Sequence, residues 1–502
     1  MIGALRYTLF ILYMGFIPNI IGQNQVELIH ADVIYYNKEL VDAQRLIGNV
    51  HFLRDGIHLY CDSAYWYAQK DFTAFGEIEI KKNGGFHLTG EQMFYRNEEN
   101  KAYVNGNVVL SDNDMVLTAP KLDYRLNDKS AHYSGGGKIV SKTRKDILTS
   151  QNGIYYSEKD LFHFEKNVKI LHEKYTLTTT KLDYLYSEEI ATFIAPTIIQ
   201  SEKQKVECSK GFFNSKTEKG ELYSRPKITY ENTQLIGDTI YFDSKKGYGK
   251  AIKNIVIKDT TKKEIIFGHC AEHFDETSIN IITDRPHIAE LMEDDTLWIQ
   301  SDTLWMIQDS VNGDKIKGYH HVVLFNNDFQ GRCDSVFFNG KDSVMTLFHE
   351  PIFWMDKRQI TGDTIQLFIQ NKEINYFKAF PNAFVIGAIS ETDSLHFDQV
   401  KGRKMIGFFK KNELTTIEVN GNGQILYFPK ENENDNNAIG MNKGDCSEIS
   451  ISIRNRKIKK INLKKKPDSY FIPMKMTKNE KQKLDDFHWR IAEKPNRYSI
   501  KK

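Results

Sequence analysis

The sequence has few cysteines and almost no charge bias. Lys and Arg total 68 against 66 Asp and Glu, and a net charge of +2 gives no reason to predict a nucleic-acid partner. Only 11 prolines and 32 glycines occur in 502 residues, which excludes collagen-like and low-complexity chains. The five cysteines are widely scattered without Cys-x-x-Cys spacing, so neither a disulfide framework nor a zinc motif is predicted. They are Cys61, Cys208, Cys270, Cys333 and Cys446.

Long apolar runs and helical periodicity are also scarce. Before about position 476 no helical periodicity persists, and beyond the N-terminus no segment is long and apolar enough to span a bilayer as a helix. The N-terminus has one positive charge, Arg6, followed by an apolar run from Tyr7 to Ile21. This order is typical of a signal peptide, so we predict that residues 1–23 direct export. The alternative is an uncleaved membrane anchor.

A short pattern recurs about every thirty residues. It is anchored on one small residue, and the intervals between anchors run from 29 to 33 residues. An aliphatic residue stands two positions before the anchor in eleven of thirteen units, and an aromatic residue stands five positions after it in ten. Such self-similarity indicates stacked structural repeats. The anchors are Ala31, Cys61, Gly90, Ala119, Ser150, Thr179, Cys208, Gly237, Gly268, Ser301, Cys333, Gly362 and Thr392.

Within each unit the apolar residues alternate with the period of two that is typical of β-strands, as at Val108 and Leu110. The alternation slips by one position just after the anchor, which predicts a bulge or corner there. Seven units place Asp at the slip and one places Pro120, and both residue types suit a bend. Three of the cysteines are anchors, which makes them small apolar fillers of the corner and not reactive groups.

The second half of each unit has a turn signal, a strand and a Gly-Asn-Val or related triplet, as at Gly48-Asn49-Val50. Such units cannot bury their apolar faces alone, so they must stack. We predict an all-β, elongated, repeat-built β-jelly roll of about thirteen units; a parallel β-helix or solenoid is the alternative. Residues 24–430 would hold the repeats, 431–476 a closing β segment, and 477–502 a C-terminal tail with a short helix around Glu480 to Asp485.

The pattern Leu-x-small-Asp-x-aliphatic-x-Tyr, a turn, then Gly-Asn-Val resembles the OstA-like family, which is related to the periplasmic lipopolysaccharide-transport protein LptA and to the N-terminal domain of LptD. The resemblance runs from about Val26 to the end of the chain. It includes "IEVNGNGQILYF", which begins at Ile417, and "LDDFHWRIAEKP", which begins at Leu484. The pattern within one unit is degenerate, but thirteen copies in register make the resemblance to the family specific.

The resemblance implies a periplasmic, Gram-negative protein with no enzymatic activity, cofactor or metal, associated with the outer membrane. Its apolar interior would carry the acyl chains of lipid A, because an amphiphile needs an apolar path across water. The candidate lipid-binding residues are inward aliphatic side chains of the repeats. They are Leu59, Leu88, Leu117, Leu122, Leu148, Leu177, Leu182, Leu235 and Ile240.

Two other functions stay open from the residues alone. The inward side chains could fill a dry core, as in a structural scaffold or surface protein without lipid cargo. The repeated aspartates could provide paired catalytic carboxylates, as in a carbohydrate-active β-helix, but a carboxylate in every repeat is better explained as architecture. His269, Cys270 and His273 could bind a metal, yet they occupy positions that other units give to corner and aromatic residues.

The two ends of the stack differ in their edge chemistry. The first strands, in "VELIHADVIYY", contain neither Lys nor Pro, which predicts an open edge for end-to-end self-association or for other β-jelly-roll transport proteins. The run from Arg454 to Lys466 carries eight positive charges. It predicts a guarded C-terminal edge, which is either a solvated face or a contact for the phosphates of lipopolysaccharide.

Overall fold

The computed structural model describes residues 26–36, 42–144, 146–293, 295–390, 393, 395–410, 413–431 and 438–500. The predicted signal peptide lies outside these residues, as does Thr392, the anchor of the thirteenth repeat. The chain divides into two compact units, up to Ser187 and from Glu188. In the described ranges, no helix is long and apolar enough to cross a membrane.

Unit 1 is an antiparallel meander. Its strands are β1 Glu27–His30, β2 Val33–Tyr36, β3 Ala43–Arg54, β4 Ile57–Tyr67, β5 Phe72–Lys82, β6 Phe86–Arg96, β7 Lys101–Ser111, β8 Met115–Arg125, β9 Ser130–Ser141, β10 Ile147–Tyr156, β11 Leu161–Leu171 and β12 Thr176–Leu185. From β3 to β12 each strand pairs with the next. The register shifts near the middle of each pairing, so the two halves of every long strand belong to different sheets.

Unit 2 begins with short strands that alternate between the two sheets. They are β13 Ile190–Phe193, β14 Thr197–Gln200, β15 Gln204–Cys208, β16 Lys210–Asn214, β17 Lys219–Tyr223, β18 Lys227–Tyr230, β19 Thr233–Ile236, β20 Thr239–Asp243, β21 Tyr248–Asp259, β22 Glu264–Phe274, β23 Ile279–Thr283, β24 His287–Leu291, β25 Thr296–Gln300, β26 Thr303–Ile307, β27 Lys315–Phe325 and β28 Phe329–Asn339.

The remaining strands are β29 Val344–Phe348, β30 Ile352–Met355, β31 Arg358–Thr361, β32 Thr364–Gln370, β33 Glu373–Phe380, β34 Ala383–Ala388, β35 Phe397–Gly402, β36 Lys404–Lys410, β37 Glu413–Tyr427, β38 Gly440–Arg454, β39 Lys457–Lys464 and β40 Asp468–Pro473. Short 3-10 helices occupy Ser244–Lys246, Met474–Asn479, Ile491–Glu493 and Arg497–Ser499.

Two sheets also make up unit 2. One contains β13, β16, β17, β20, β23, β26, β29, β32, β33, β36 and β39, and the other contains β14, β15, β18, β19, β24, β25, β30, β31, β34, β35 and β40. The long strands β21, β22, β27, β28, β37 and β38 run through both. Every described pairing is antiparallel. The predicted jelly roll is therefore confirmed and the parallel β-helix is wrong.

The predicted corner lies where the strands pass from one sheet to the other. The partner of the corner aspartate Asp32, which the sequence did not predict, is a pair of left-handed residues on the next strand. Gly48 and Asn49 have φ of 77° and 42°, and Asn49 Nδ2 donates to Asp32 Oδ2 at 2.9 Å. The Asp32 backbone N–H donates to the Gly48 carbonyl at 3.0 Å. The Gly-Asn pair and the aspartate are thus two halves of one corner.

The same contact recurs along both units with varied donors. Asn254 donates to Asp238 at 2.8 Å, and His321 bonds to Asp302 at 2.7 Å. Gly and Asn tolerate the left-handed conformation that the corner requires, because Gly lacks Cβ and Asn is among the residues enriched there. The row of aspartates is therefore part of the architecture.

A C-terminal strap, residues 480–493, lies along the outer face of one sheet of unit 2. The buried side chain of Gln399 donates to the Gln482 carbonyl at 3.0 Å and accepts from the Leu484 N–H at 2.8 Å. Gln359 does the same with His488 and Arg490, each at 2.7 Å. The helix predicted around Glu480 to Asp485 is wrong, because these side chains and not a helical ladder satisfy the backbone.

We predict that Gly48→Ala destabilises the protein more than Gly56→Ala. Both glycines have positive φ, but a Cβ at Gly56 meets nothing within 4 Å, whereas one at Gly48 lies 2.3 Å from Asp32 Oδ2. Gly56→Ala should cost about 1 kcal/mol from the backbone alone, and Gly48→Ala about 1 kcal/mol more as the corner hydrogen bonds are lost. Chemical denaturation of the full chain measures both; equal losses would show that the corner contact adds no stability.

We also predict that Gln399→Ala releases the strap. The substitution leaves two buried backbone groups without partners, at a cost of about 1–3 kcal/mol. Limited proteolysis should then cut within residues 480–493, and thermal unfolding should begin earlier. The matched control is Gln370→Ala, because Gln370 is exposed and bonds Asn375 at 3.4 Å. A strap that stays protected in Gln399→Ala would contradict this assignment.

Candidate functional site

An apolar cavity of about 280 Å³ lies between the two sheets of unit 1. Inward side chains from both halves of the strands form its wall, including Phe52, Leu59, Ile80, Leu88 and Met93. They face inward because alternate residues of a strand point to the same side of its sheet. The cavity therefore follows from the two-sheet architecture and from the alternating apolar pattern.

The space exists because small residues occupy inward positions between two aromatic stacks. Ala102 and Ala131 line the cavity and are buried. On one side Phe72 stacks on Phe52 and on Tyr95, with ring centroids 4.6 and 5.0 Å apart. The other stack joins Tyr155, Phe162 and Phe164, with centroids 4.3 and 5.3 Å apart. The first stack and Tyr155 of the second contribute to the cavity wall.

The mouth lies at the strand ends opposite the corner. Arg54, at the end of β3, hydrogen-bonds the Tyr95 hydroxyl and donates to Asn100 Oδ1 at 3.0 Å, which ties the margins of the two sheets together. Phe86 and Tyr124 also meet there, with ring centroids 6.5 Å apart. The mouth thus combines a fixed guanidinium with aromatic rings.

Burial and hydrogen bonding set the charges around the mouth. Burial raises the pKa of Tyr124 and that of Tyr155, so both phenols are neutral at ordinary pH. The hydrogen bond from Lys129 to Glu158 raises the pKa of Lys129, which stays a cation. The cavity wall is mainly apolar, and the charged residues that line it are Arg54, Lys82, Lys129 and Asp112.

The structure buries eight of the nine predicted lipid-binding residues, and the ninth, Leu235, is half-buried. It brings two of them, Leu59 and Leu88, to the cavity. The others do not line it: Leu117, Leu122, Leu148, Leu177 and Leu182 lie elsewhere in unit 1, and Leu235 and Ile240 lie in unit 2. Lipid binding by all nine stays a prediction.

Sequence analysis missed the residues at the mouth. Arg54, Phe86 and Lys129 stand at or next to strand ends outside the recurring pattern, whereas Tyr124 is the aromatic residue five positions after the anchor Ala119. The signal that could have found them is a cationic or aromatic residue beside successive turns on the side away from the Asp corner. Each such residue by itself is ordinary in a turn.

The interior of unit 2 is closely packed around large side chains. Phe353 and Phe377 are fully buried. A Cβ on Gly407 would lie 2.0 Å from the Phe377 ring, so glycine at that position makes room for the ring. At the strand ends Arg358 donates to the Arg456 carbonyl at 2.7 Å, which joins the two sheets. Phe353 and Phe377 thus belong to a hydrophobic core of buried side chains in unit 2.

The histidine and cysteine side chains that were candidates for metal binding or reactivity have structural roles. His273 bonds Asn280 at 2.8 Å and Asp275 at 2.6 Å, and no group of three or more His, Cys, Asp or Glu within the described ranges could hold a metal ion. All five cysteines are described and unpaired. Burial raises the pKa of the Cys61 and Cys333 thiols to about 12, so they stay protonated and unreactive.

The first part of the chain is similar to a known protein family. A family model described as OstA-like protein matches residues 23–180 and 161–238. Residues 23–238 are therefore the part of the chain that is similar to this family. This OstA-like part contains the whole cavity and extends into the first strands of unit 2, and it covers less than half of the 502 residues.

Among solved structures, the chain is similar to LptH, the LptA homologous periplasmic component of the conserved lipopolysaccharide transport device from Pseudomonas aeruginosa. The identity is 15%, the match covers 21% of this chain and 79% of that one, and the TM-score is 0.20. No curated protein matches the sequence.

Proposed function

We propose that the protein binds lipopolysaccharide in the periplasm and takes part in its transport to the outer membrane. The observation that carries the proposal is the apolar cavity between the sheets of unit 1, with cations at its mouth. The OstA-like match over the same residues supports it. Burying an acyl chain contributes about 0.8 kcal/mol per CH₂, so even a small cavity can hold part of lipid A.

The cavity volume limits what is bound at one time. At about 280 Å³ it lies just below the roughly 300 to 1,000 Å³ of ordinary ligand pockets. We propose that it takes part of one acyl chain and leaves the sugars in water. We propose that the protein binds this lipid without a chemical step.

A scaffold role is the second candidate, and it suits unit 2. Large buried side chains, among them Phe353 and Phe377, fill the interior of that part of unit 2. We therefore propose that this part of unit 2 is structural and carries no cargo. The cavity of unit 1 distinguishes the whole protein from a simple scaffold.

We predict that a photo-crosslinking amino acid at Leu88 captures lipopolysaccharide. Leu88 lines the cavity, whereas its neighbour Thr89 faces outward and Leu182 is fully buried away from the cavity. Each position would be tested in the full chain with purified lipopolysaccharide, after circular dichroism has established that the variant folds. Crosslinking should occur at Leu88 and not at Thr89 or Leu182. Equal yields at Leu88 and Thr89 would contradict cargo binding.

We propose that the N-terminal edge of unit 1 associates with a second copy or with a transport protein of similar fold. The strand β2 is exposed along its whole length, with Ile34 56% and Tyr35 54% exposed. Among the described residues, β1 and β2 each pair with β3 alone, so their outer hydrogen-bonding groups are open for another strand. At the opposite end, β39 carries four lysines, which discourages such pairing.

We predict that Ile34→Lys weakens this association. A lysine on an edge strand places a charge where a partner strand would pack. Analytical ultracentrifugation should show a shift toward monomer, by at least about tenfold in the dissociation constant. The control is Val311→Lys, since Val311 is 83% exposed in a turn of unit 2. If Val311→Lys has the same effect, general surface charge and not the edge controls association.

A further inference from the structure

We infer that the mouth of the unit 1 cavity is a binding site for the anionic headgroup, phosphate above all, of an amphiphile whose acyl chain enters the cavity. This inference rests on the proposed function and adds headgroup selectivity to it. Three cations line the cavity: Arg54, Lys82 and Lys129. They stand at the end of β3, at the end of β5 and just before β9, so both sheet margins contribute positive charge.

The three cations differ in how firmly they are held. Arg54 has a side chain only 11% exposed and lies 3.4 Å from Asp55. Lys129 pairs with Glu158 at 2.5 Å, and both side chains are more than half exposed. Lys82 is exposed, and its ammonium group makes no hydrogen bond or ion pair with any residue that the structure describes. Arg54 is therefore a fixed donor, while Lys82 is available to a ligand.

The one carboxylate that lines the mouth is committed to its own turn. Asp112 Oδ1 accepts from the backbone N–H groups of Asp114 and Met115, each at 2.8 Å. The Lys129 pair is exposed, and exchanging one exposed carboxylate for another anion costs little. Among the described charged groups that line the mouth, the Lys82 ammonium is thus the charge most available to a ligand.

An isolated strand-end lysine usually serves solubility alone. Lys82 stands beside the apolar wall of the cavity. A charge beside a low-dielectric surface attracts an opposite charge more strongly than a charge in open water does. An amphiphile whose acyl chain fills the cavity must leave its headgroup at the mouth. Charge complementarity then favours an anionic group over a neutral one.

The test compares two lipids with the same acyl chain, oleoyl lysophosphatidic acid and mono-oleoylglycerol, in displacing a fluorescent fatty-acyl probe from the full-length protein. We expect the phosphate-bearing lipid to bind at least about tenfold more tightly, which is the effect of one partly shielded ion pair. This preference should shrink as ionic strength rises. Inorganic phosphate alone should displace neither lipid.

The decisive variant is Lys82→Glu, with Lys121→Glu as its control. Lys121 is exposed on β8 next to the corner and does not line the cavity. Lys82→Glu should weaken lysophosphatidic acid about tenfold and leave mono-oleoylglycerol unchanged, while Lys121→Glu should change neither.

Other results would overturn the inference. An equal loss of both lipids in Lys82→Glu would make the lysine merely structural and leave the proposed function standing. Displacement by inorganic phosphate alone would point to a free-phosphate site. If neither lipid binds the wild-type protein, the headgroup site and the proposed function both fail.

Discussion

The corner between the two sheets is the constraint on which the rest of the structure depends. Every long strand of unit 1 must pass from one sheet to the other while it stays paired with both neighbours. A left-handed pair such as Gly48-Asn49 turns the chain, and the neighbouring Asp32 bonds both to the side chain and to the backbone of that pair. Since the contact recurs in several repeats of both units, it stabilises the passage of the chain from one sheet to the other, and the strand ends away from it form the opening of the unit 1 cavity.

The size of the inward side chains then decides what lies between the sheets. In unit 1, Ala102 and Ala131 leave a cavity between two aromatic stacks. In unit 2, Phe353 and Phe377 fill the corresponding layer, and Gly407 gives the Phe377 ring its room. The same architecture therefore encloses a cavity in one unit and a layer of large side chains in the other. The size of a few inward residues decides between the two.

The first strands and the C-terminal strap differ in whether apolar surface is covered. The strap covers an apolar outer surface of unit 2 that includes Phe397, whose ring lies 5.2 Å from Phe487 and 5.1 Å from Trp489. Gln359 and Gln399 offer the strap the donor and acceptor that a neighbouring strand would offer. The first strand pair of unit 1 instead remains exposed. Apolar surface is therefore covered by the strap near the C-terminus, whereas it stays exposed on the first two strands.

The sequence by itself determined the all-β class, the corner after each anchor and the burial of positions such as Leu88 and Leu122, because strand periodicity and turn chemistry are local. The pairing of Asp32 with Asn49 connects residues seventeen apart, and the docking of the strap on Gln399 connects residues 85 apart, so neither is visible in a repeat pattern. The helix expected near Glu480 failed for the same reason. Only the tertiary structure decided that Leu59 and Leu88 line a cavity while Leu182 is packed, because volume depends on what the facing sheet contributes.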